Sequence, residues 1–319
     1  MRILFIQFKR LGDVLMVTPA VKALKRSYPQ ATLHFLVEQW GLPAIQHNPL
    51  IDEIIVADRL TPMKRLWKLR EGRYDVAVDF QNTPRSARWA WISGARLRIG
   101  FPKRGRAIFY NRRVLIPHAD TYSAEEKLFL LTPLQIKSNL AIPELYVNQE
   151  EAERAMRVLD SFSTKRSREV IALSPVSRKR YKRWPAEHYS AVCDYLYEKR
   201  HFSFLPLFGR GEEPLVEEVI AHARHPEAFL YPYTPISFGG LKILIEHCLF
   251  YLGNDNGVRH VAIACGKPTA TIFGPINPLN WTPPDNKLHR YAWSEDTVAS
   301  ITPQQVITML SDLILSIGK

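Results

Sequence analysis

Short apolar runs alternate with amphipathic stretches along most of this chain. Residues 3–8, 33–37, 54–56, 76–80, 170–173, 204–208, 249–252 and 269–273 are apolar runs of strand length. Residues 14–27, 63–70, 186–199, 214–223 and 239–247 carry helical spacing between them. That alternation predicts βαβ units, and so an α/β protein with parallel sheets. In 14–27 the spacing of Val14, Val17, Val21 and Leu24 runs straight through Pro19, which predicts one kinked helix. Residues 124–131 and 150–162 form the longest helical stretch without an intervening strand, and the polar segment 163–169 follows them. A chain of 319 residues outgrows a single core, and this stretch places the junction. The expected domains are 1–162 and 163–319. The final segment, 303–317, is an amphipathic helix opened by Thr302 and Pro303.

Charge adds a second layer. The formal net charge is +12, and no acid occurs from Phe80 to Ala119, where arginines accumulate. A second basic run covers Arg178 to Arg183. Such patches favour anionic partners: phosphorylated sugars, an acidic membrane surface or nucleic acid. The three cysteines, Cys193, Cys248 and Cys265, lie far apart in apolar runs. That spacing argues for a reducing compartment and against a disulfide framework or zinc site. No run is long enough to span a bilayer, and the first is cut short by Lys9 and Arg10. A cytoplasmic protein is expected.

Two places concentrate candidate chemistry. Asp255, Asn256, Gly257 and His260 sit where an apolar strand hands over to a short helix. In a parallel sheet that is the carboxyl edge, where ligands bind, and a helix start there suits a phosphate. Asp255 can equally be a helix cap, and His260 a core residue. The other place is the turn after the first strand, Lys9, Arg10, Leu11, Gly12 and Asp13. Gly12 permits a tight turn. Asp13 can cap the helix or act as a general base toward a sugar hydroxyl. The turn lacks the first two glycines of the GxGxxG fingerprint, which weighs against a dinucleotide-binding dehydrogenase.

Three blocks match a known family. RLGDVLMVTPAVKALKRSYP (10–29), LSPVSRKRYKRWPAEHY (173–189) and LGNDNGVRHVAIACGKPTATIFGPINP (252–278) occur in the family's order. YDVAVDFQNTPRSA (74–87) and RIGF (98–101) add to them. The chain resembles glycosyltransferase family 9, the ADP-heptose–lipopolysaccharide heptosyltransferases. The resemblance implies a GT-B fold, two Rossmann-like domains facing across a cleft, with the final helix often packing back on the first domain. It implies an acceptor-binding domain at 1–162 and a nucleotide-sugar-binding domain at 163–319. It also implies inverting, metal-independent transfer without a cofactor. The implied partners are a nucleotide-sugar donor, ADP-heptose first, an anionic lipopolysaccharide-core acceptor, and the inner face of the cytoplasmic membrane as a peripheral surface.

By resemblance Asp13 is the catalytic base, and Lys182 neutralises the departing diphosphate, with Arg183 or Arg180 sharing that task. Ser177, Gly209, Asp255, Asn256, Gly257 and His260 belong to the donor side. Lys9, Arg10, Gly12, Arg85 and Ser86 belong to the acceptor side. Trp89 and Trp91 read as packing or membrane-edge residues. The chain departs from the family at Asn82, Val176, Asn256 and Arg259. The last two point to an altered donor preference. Two other readings remain: transfer of another nucleotide-activated sugar to a cell-surface glycan, and a non-catalytic basic protein that binds nucleic acid. The chain shows no nucleic-acid recognition motif, so no nucleic-acid partner is expected.

Overall fold

The computed structural model describes residues 1–163, 169–284 and 287–318. It contains two compact units, Met1–Tyr146 and Val147–Lys319.

The first unit is built on strands β1 (Arg2–Ile6), β2 (Thr32–Val37), β3 (Glu53–Val56), β4 (Val76–Asp79), β5 (Leu97–Gly100) and β6 (Arg112–Arg113). They pair in the order β3-β2-β1-β4-β5-β6, parallel throughout. The helices are α1 (Leu11–Leu15), α2 (Thr18–Ser27), α3 (Pro62–Glu71), α4 (Pro84–Ile92) and α5 (Ser123–Phe129). In β1, every residue from Ile3 to Ile6 is buried, as a central strand covered on both faces requires. β1 steps to β2 and then β3 in one direction, while β3 to β4 to β5 runs in the other. With right-handed crossovers, α3 and α4 therefore cover the same face of the sheet.

The second unit contains β7 (Val170–Ser174), β8 (Ser203–Pro206), β9 (Tyr251–Asn254), β10 (Thr269–Phe273) and β11 (His289–Trp293). Their order is β11-β10-β9-β7-β8, again parallel. Its helices are α6 (Gln149–Ser161), α7 (Ala186–Arg200), α8 (Glu213–His222), α9 (Phe238–Glu246), α10 (Gly257–Ala264) and α11 (Pro303–Ser316).

Several expectations need correction. The stretch 14–27 is two helices, broken at Met16 and Val17. Pro19 has no N–H to give the Leu15 carbonyl, and the Thr18 hydroxyl donates to that carbonyl instead, at 2.7 Å. The same hydroxyl oxygen accepts the Glu144 N–H at 2.8 Å, so the break is stitched to the end of the unit. The compact units divide at 146/147, ahead of α6, rather than at 162/163. α6 packs on α9, where a Cβ on Gly239 would collide with the Glu151 carboxylate. Of the polar segment 163–169, residues 164–168 lie outside the described residues. The last helix packs in its own unit on α7, β10 and β11, and Val306, Leu310, Leu313 and Ile314 enter that core. Strands β5, β6 and β11 and helix α4 had no place in the expected pattern. β6 is two exposed arginines and β11 alternates between buried and exposed, so neither carries a continuous apolar run.

Candidate active site

At the carboxyl edge of the first sheet, the chain leaves β1 through Gln7 to Arg10 and enters α1. Asp13 lies in the first turn of α1, partly exposed, and accepts the Arg10 N–H at 3.2 Å. Gly12 is buried beside it. Gln81, just past β4, fixes the turn. Its side-chain oxygen accepts from the Phe8 and Lys9 N–H groups, both at 3.2 Å, and from the Gln7 amide at 2.9 Å. Glu38, at the end of β2, gathers the cations. It pairs with Arg85 and lies 3.7 Å from the Lys9 ammonium, while Arg85 also stacks over the Phe8 ring. Arg10 is exposed.

Below this turn lies Asp79, fully buried at the end of β4. It accepts the Gln81 and Asn82 N–H groups, each at 3.0 Å, and the Tyr110 hydroxyl at 2.7 Å. Burial pushes its carboxyl up to about 6, with these hydrogen bonds pulling the other way. Asn82 adopts φ +49°, a left-handed conformation that asparagine tolerates. Ser86, expected to face the acceptor, is instead completely buried. Its hydroxyl accepts the Thr83 N–H at 2.8 Å and donates to the Thr83 carbonyl, so it closes the capping box of α4. Lys127 on α5 is buried, with Ser123 as its hydrogen-bond partner at 3.2 Å. Burial pulls its ammonium down, and the charges of Asp13 and Glu126 push it back up.

The carboxyl edge of the second sheet carries the other cluster. Lys182 and Asp255 form an ion pair of 2.5 Å, with Asp255 nearly buried and Lys182 one-fifth exposed. Asn254 makes this pair possible. From the end of β9 it accepts the Trp184 N–H at 3.1 Å and donates to the Pro175 carbonyl at 2.7 Å. The loop after β7 is thereby tied to the strand that delivers Asp255. The Trp184 indole anchors the same loop by donating to the Ile301 carbonyl at 2.8 Å. A Cβ on Gly253 would stand 2.5 Å from the Ser174 carbonyl, so β9 needs glycine there to lie this close to β7.

The cap of α10 is Asn256, not Asp255. Its side-chain oxygen accepts from the Val258 and Arg259 N–H groups at 2.9 and 3.3 Å. Its amide nitrogen donates to the Ser174 hydroxyl and the Val176 carbonyl at 2.9 and 2.8 Å. Asp255 is thus free of capping duty and pairs with Lys182. The N–H groups of Asn256 and Gly257 take part in none of these cap bonds. Arg259 is 1% exposed and turned into the protein. It donates to Thr271, the Trp281 carbonyl and Thr282 at 2.7–2.9 Å and lies over the Phe273 ring. His260 is buried with its ring 6.0 Å from that of Trp281. Ser177 is buried, and its carbonyl accepts from the Arg183 guanidinium at 2.6 Å. Gly209 is exposed and gives its N–H to the Glu212 carboxylate at 2.9 Å.

Chemically, the second cluster offers a lysine ammonium, a nearly buried carboxylate and the open N–H groups of a helix start. Lysine has three donors and one meets Asp255, so the ammonium can still meet a phosphate oxygen. Among the described residues, no group of His, Cys, Asp or Glu side chains is arranged to hold a metal ion.

Residues 63–305 match the family model described as glycosyltransferase family 9 (heptosyltransferase). The chain belongs to glycosyltransferase family 9. Lys182 and Asp255 lie within the matched residues, and Asp13 precedes them. Lipopolysaccharide heptosyltransferase 3 of Escherichia coli is 25% identical, over 89% of this chain and 86% of its own. The crystal structure of a family 9 glycosyltransferase from Veillonella parvula superposes with a TM-score of 0.82 at 21% identity, over 99% of this chain and 97% of that one. The E. coli ADP-heptose lipopolysaccharide heptosyltransferase II structure gives 0.77 at 25% identity, over 99% of both chains. This family 9 member is therefore a glycosyltransferase, and its α/β fold is the GT-B fold of those structures.

Sequence reading missed several residues that build the site: Glu38, Asp79, Gln81, Lys127, Asn254 and Trp184. Asp79 and Asn254 did carry a signal. Each is a polar residue closing an apolar run at the carboxyl end of a strand, where open parallel sheets bind ligands. Lys127 had none, because an isolated lysine on an amphipathic helix reads as exposed.

Proposed function

We propose that this chain transfers heptose from ADP-heptose to the inner core of lipopolysaccharide, with inversion and without a metal. The Lys182–Asp255 ion pair carries the reading, because it sets a cation beside the start of α10 at a sheet's carboxyl edge. The donor diphosphate lies against Lys182 and the Asn256 and Gly257 N–H groups. As the bond to the anomeric carbon breaks, negative charge grows on the diphosphate, and a fixed ammonium stabilises it there. That is the task a divalent ion performs in other transferases. Asp13 takes the proton from the acceptor hydroxyl as its oxygen attacks the opposite face of the anomeric carbon. Inversion follows from that single displacement. Lys9, Arg10 and Arg85 meet the anionic groups of the acceptor.

The relatives named above support the substrates, as heptosyltransferases acting on lipopolysaccharide. No helix among the described residues is long and apolar enough to cross a membrane. We place the enzyme in the cytoplasm, peripherally on the inner face of the membrane, where its acceptor is anchored. The test is turnover of ADP-heptose against other ADP-, UDP- and GDP-sugars on a lipopolysaccharide-core acceptor. The reading requires ADP-heptose to be used best. Preference for another nucleotide-sugar would replace it with a different glycan transferase.

A further inference from the structure

Helices α3 and α4 cover the same face of the first sheet and pack on each other. The turn Ala107–Phe109 packs on α4. On α3 the inward residues are Arg65 and Leu69. Met63 and Trp67 are each two positions earlier, about 200° round the helix, and so point outward. Both are 62% exposed. On α4, Ser86, Ala87 and Ala90 are buried, while Arg88 and Trp91 share the outer side at i and i+3. Trp91 is 54% exposed and its ring lies 6.5 Å from Phe109, next to Ile108 at 77% exposure. Large apolar side chains left in water on one face have no folding role that explains them.

The charge around this face is predominantly positive, with Glu71, one turn after Trp67 on α3, its exposed acid. Arg88 is exposed beside Trp91, and Arg104 and Arg112, in the segment that flanks the 107–109 turn, are exposed too. From Pro62 to Ala119 the only acids are Glu71, Asp75 and Asp79. Asp79 is buried and Asp75 is hydrogen-bonded to the Arg2 N–H. Exposed tryptophans and apolar neighbours accompanied by exposed arginines suit an anionic lipid surface: the rings enter the headgroup layer and the guanidinium groups meet phosphates. A nucleic acid would use the charge but leave Met63 and Ile108 in water.

We infer that the outer face of α3, α4 and the 107–109 turn is the surface by which the first unit docks on an anionic bilayer. The inference deepens the membrane-surface part of the proposed function. It is read without donor or acceptor, so either can fail while the other stands.

The experiment is sedimentation of the whole protein with vesicles rich in phosphatidylglycerol, compared with pure phosphatidylcholine vesicles. Wild type should bind the anionic vesicles and not the zwitterionic ones. Trp67→Ala/Trp91→Ala and Arg88→Glu/Arg104→Glu should each lower the vesicle affinity by about tenfold or more. Both should retain the wild-type unfolding midpoint and wild-type turnover on a water-soluble, delipidated acceptor. Equal binding to both vesicle types, no binding, or undiminished binding by either variant overturns the inference. So does salt-sensitive binding to duplex DNA in place of vesicles.

Discussion

Lys182 and Asp255 meet at 2.5 Å because Asn256, rather than Asp255, caps α10. The carboxylate that precedes the helix is left to hold a lysine from another loop. If that lysine acts on the departing diphosphate, Lys182→Ala should lower kcat by roughly two to three orders of magnitude, as loss of one preorganised charge does. Asp255→Ala should also lower kcat, because the lysine loses its anchor. The double variant should lose less than the two single losses multiplied together. Steady-state kinetics of the cycle check this, and fully multiplicative losses would separate the two residues.

Asn256 and Arg259, where the resemblance pointed to an altered donor preference, both spend their side chains inside the protein. Asn256→Ala should cost about 1–2 kcal/mol, through the lost cap and the tie to Val176. Arg259→Ala should cost about 3 kcal/mol or more, because two buried hydroxyls and the partly buried Trp281 carbonyl lose their donor. Neither should change the ranking of nucleotide-sugars. Chemical denaturation and a donor panel measure the two effects separately.

Two buried groups give the fold opposing pH dependences in the same window. Burial pushes Asp79 from 3.8 to about 6. Between those values the folded chain holds a proton that the unfolded chain has lost, so stability falls as pH rises. His289 is pushed down from 6.5 to about 4, by burial and then by the charge of Arg259. Between those values the unfolded chain holds the extra proton, so stability falls as pH drops. Asp79→Asn should therefore steepen the loss of stability on acidification from pH 6 to 4, and His289→Asn should reverse the remaining slope. Unfolding midpoints across that range decide it.

If protein cations fill the role of a metal, chelation should leave turnover unchanged. Activity assayed after treatment with a chelator and dialysis, with and without added magnesium, checks this. A loss restored by magnesium would contradict the assignment to Lys182.

Most of the architecture was legible because buried parallel strands are continuous apolar runs. β1, β2, β4, β7, β9 and β10 are of this kind, and each lies where the pattern expected a strand. Edge strands such as β6 and β11 carry no such signal. The family resemblance brought Lys182 and Asp255 forward, but not their contact, which depends on Asn254 bridging two loops distant in sequence. Ser86 shows the converse limit. A polar residue in a matching block read as a ligand, yet the proline-opened α4 needs its hydroxyl at the cap.

We propose Asp13 as the base for transfer from ADP-heptose. Its carboxylate also accepts the Arg10 N–H, so a capping role alone would equally place it there. The most direct measurement is single-turnover transfer from ADP-heptose by wild type and Asp13→Ala, with donor affinity titrated on the same samples. If Asp13 is the base, the variant's rate falls by roughly two to four orders of magnitude with donor affinity nearly unchanged. Transfer by Asp13→Ala at the wild-type rate would contradict it.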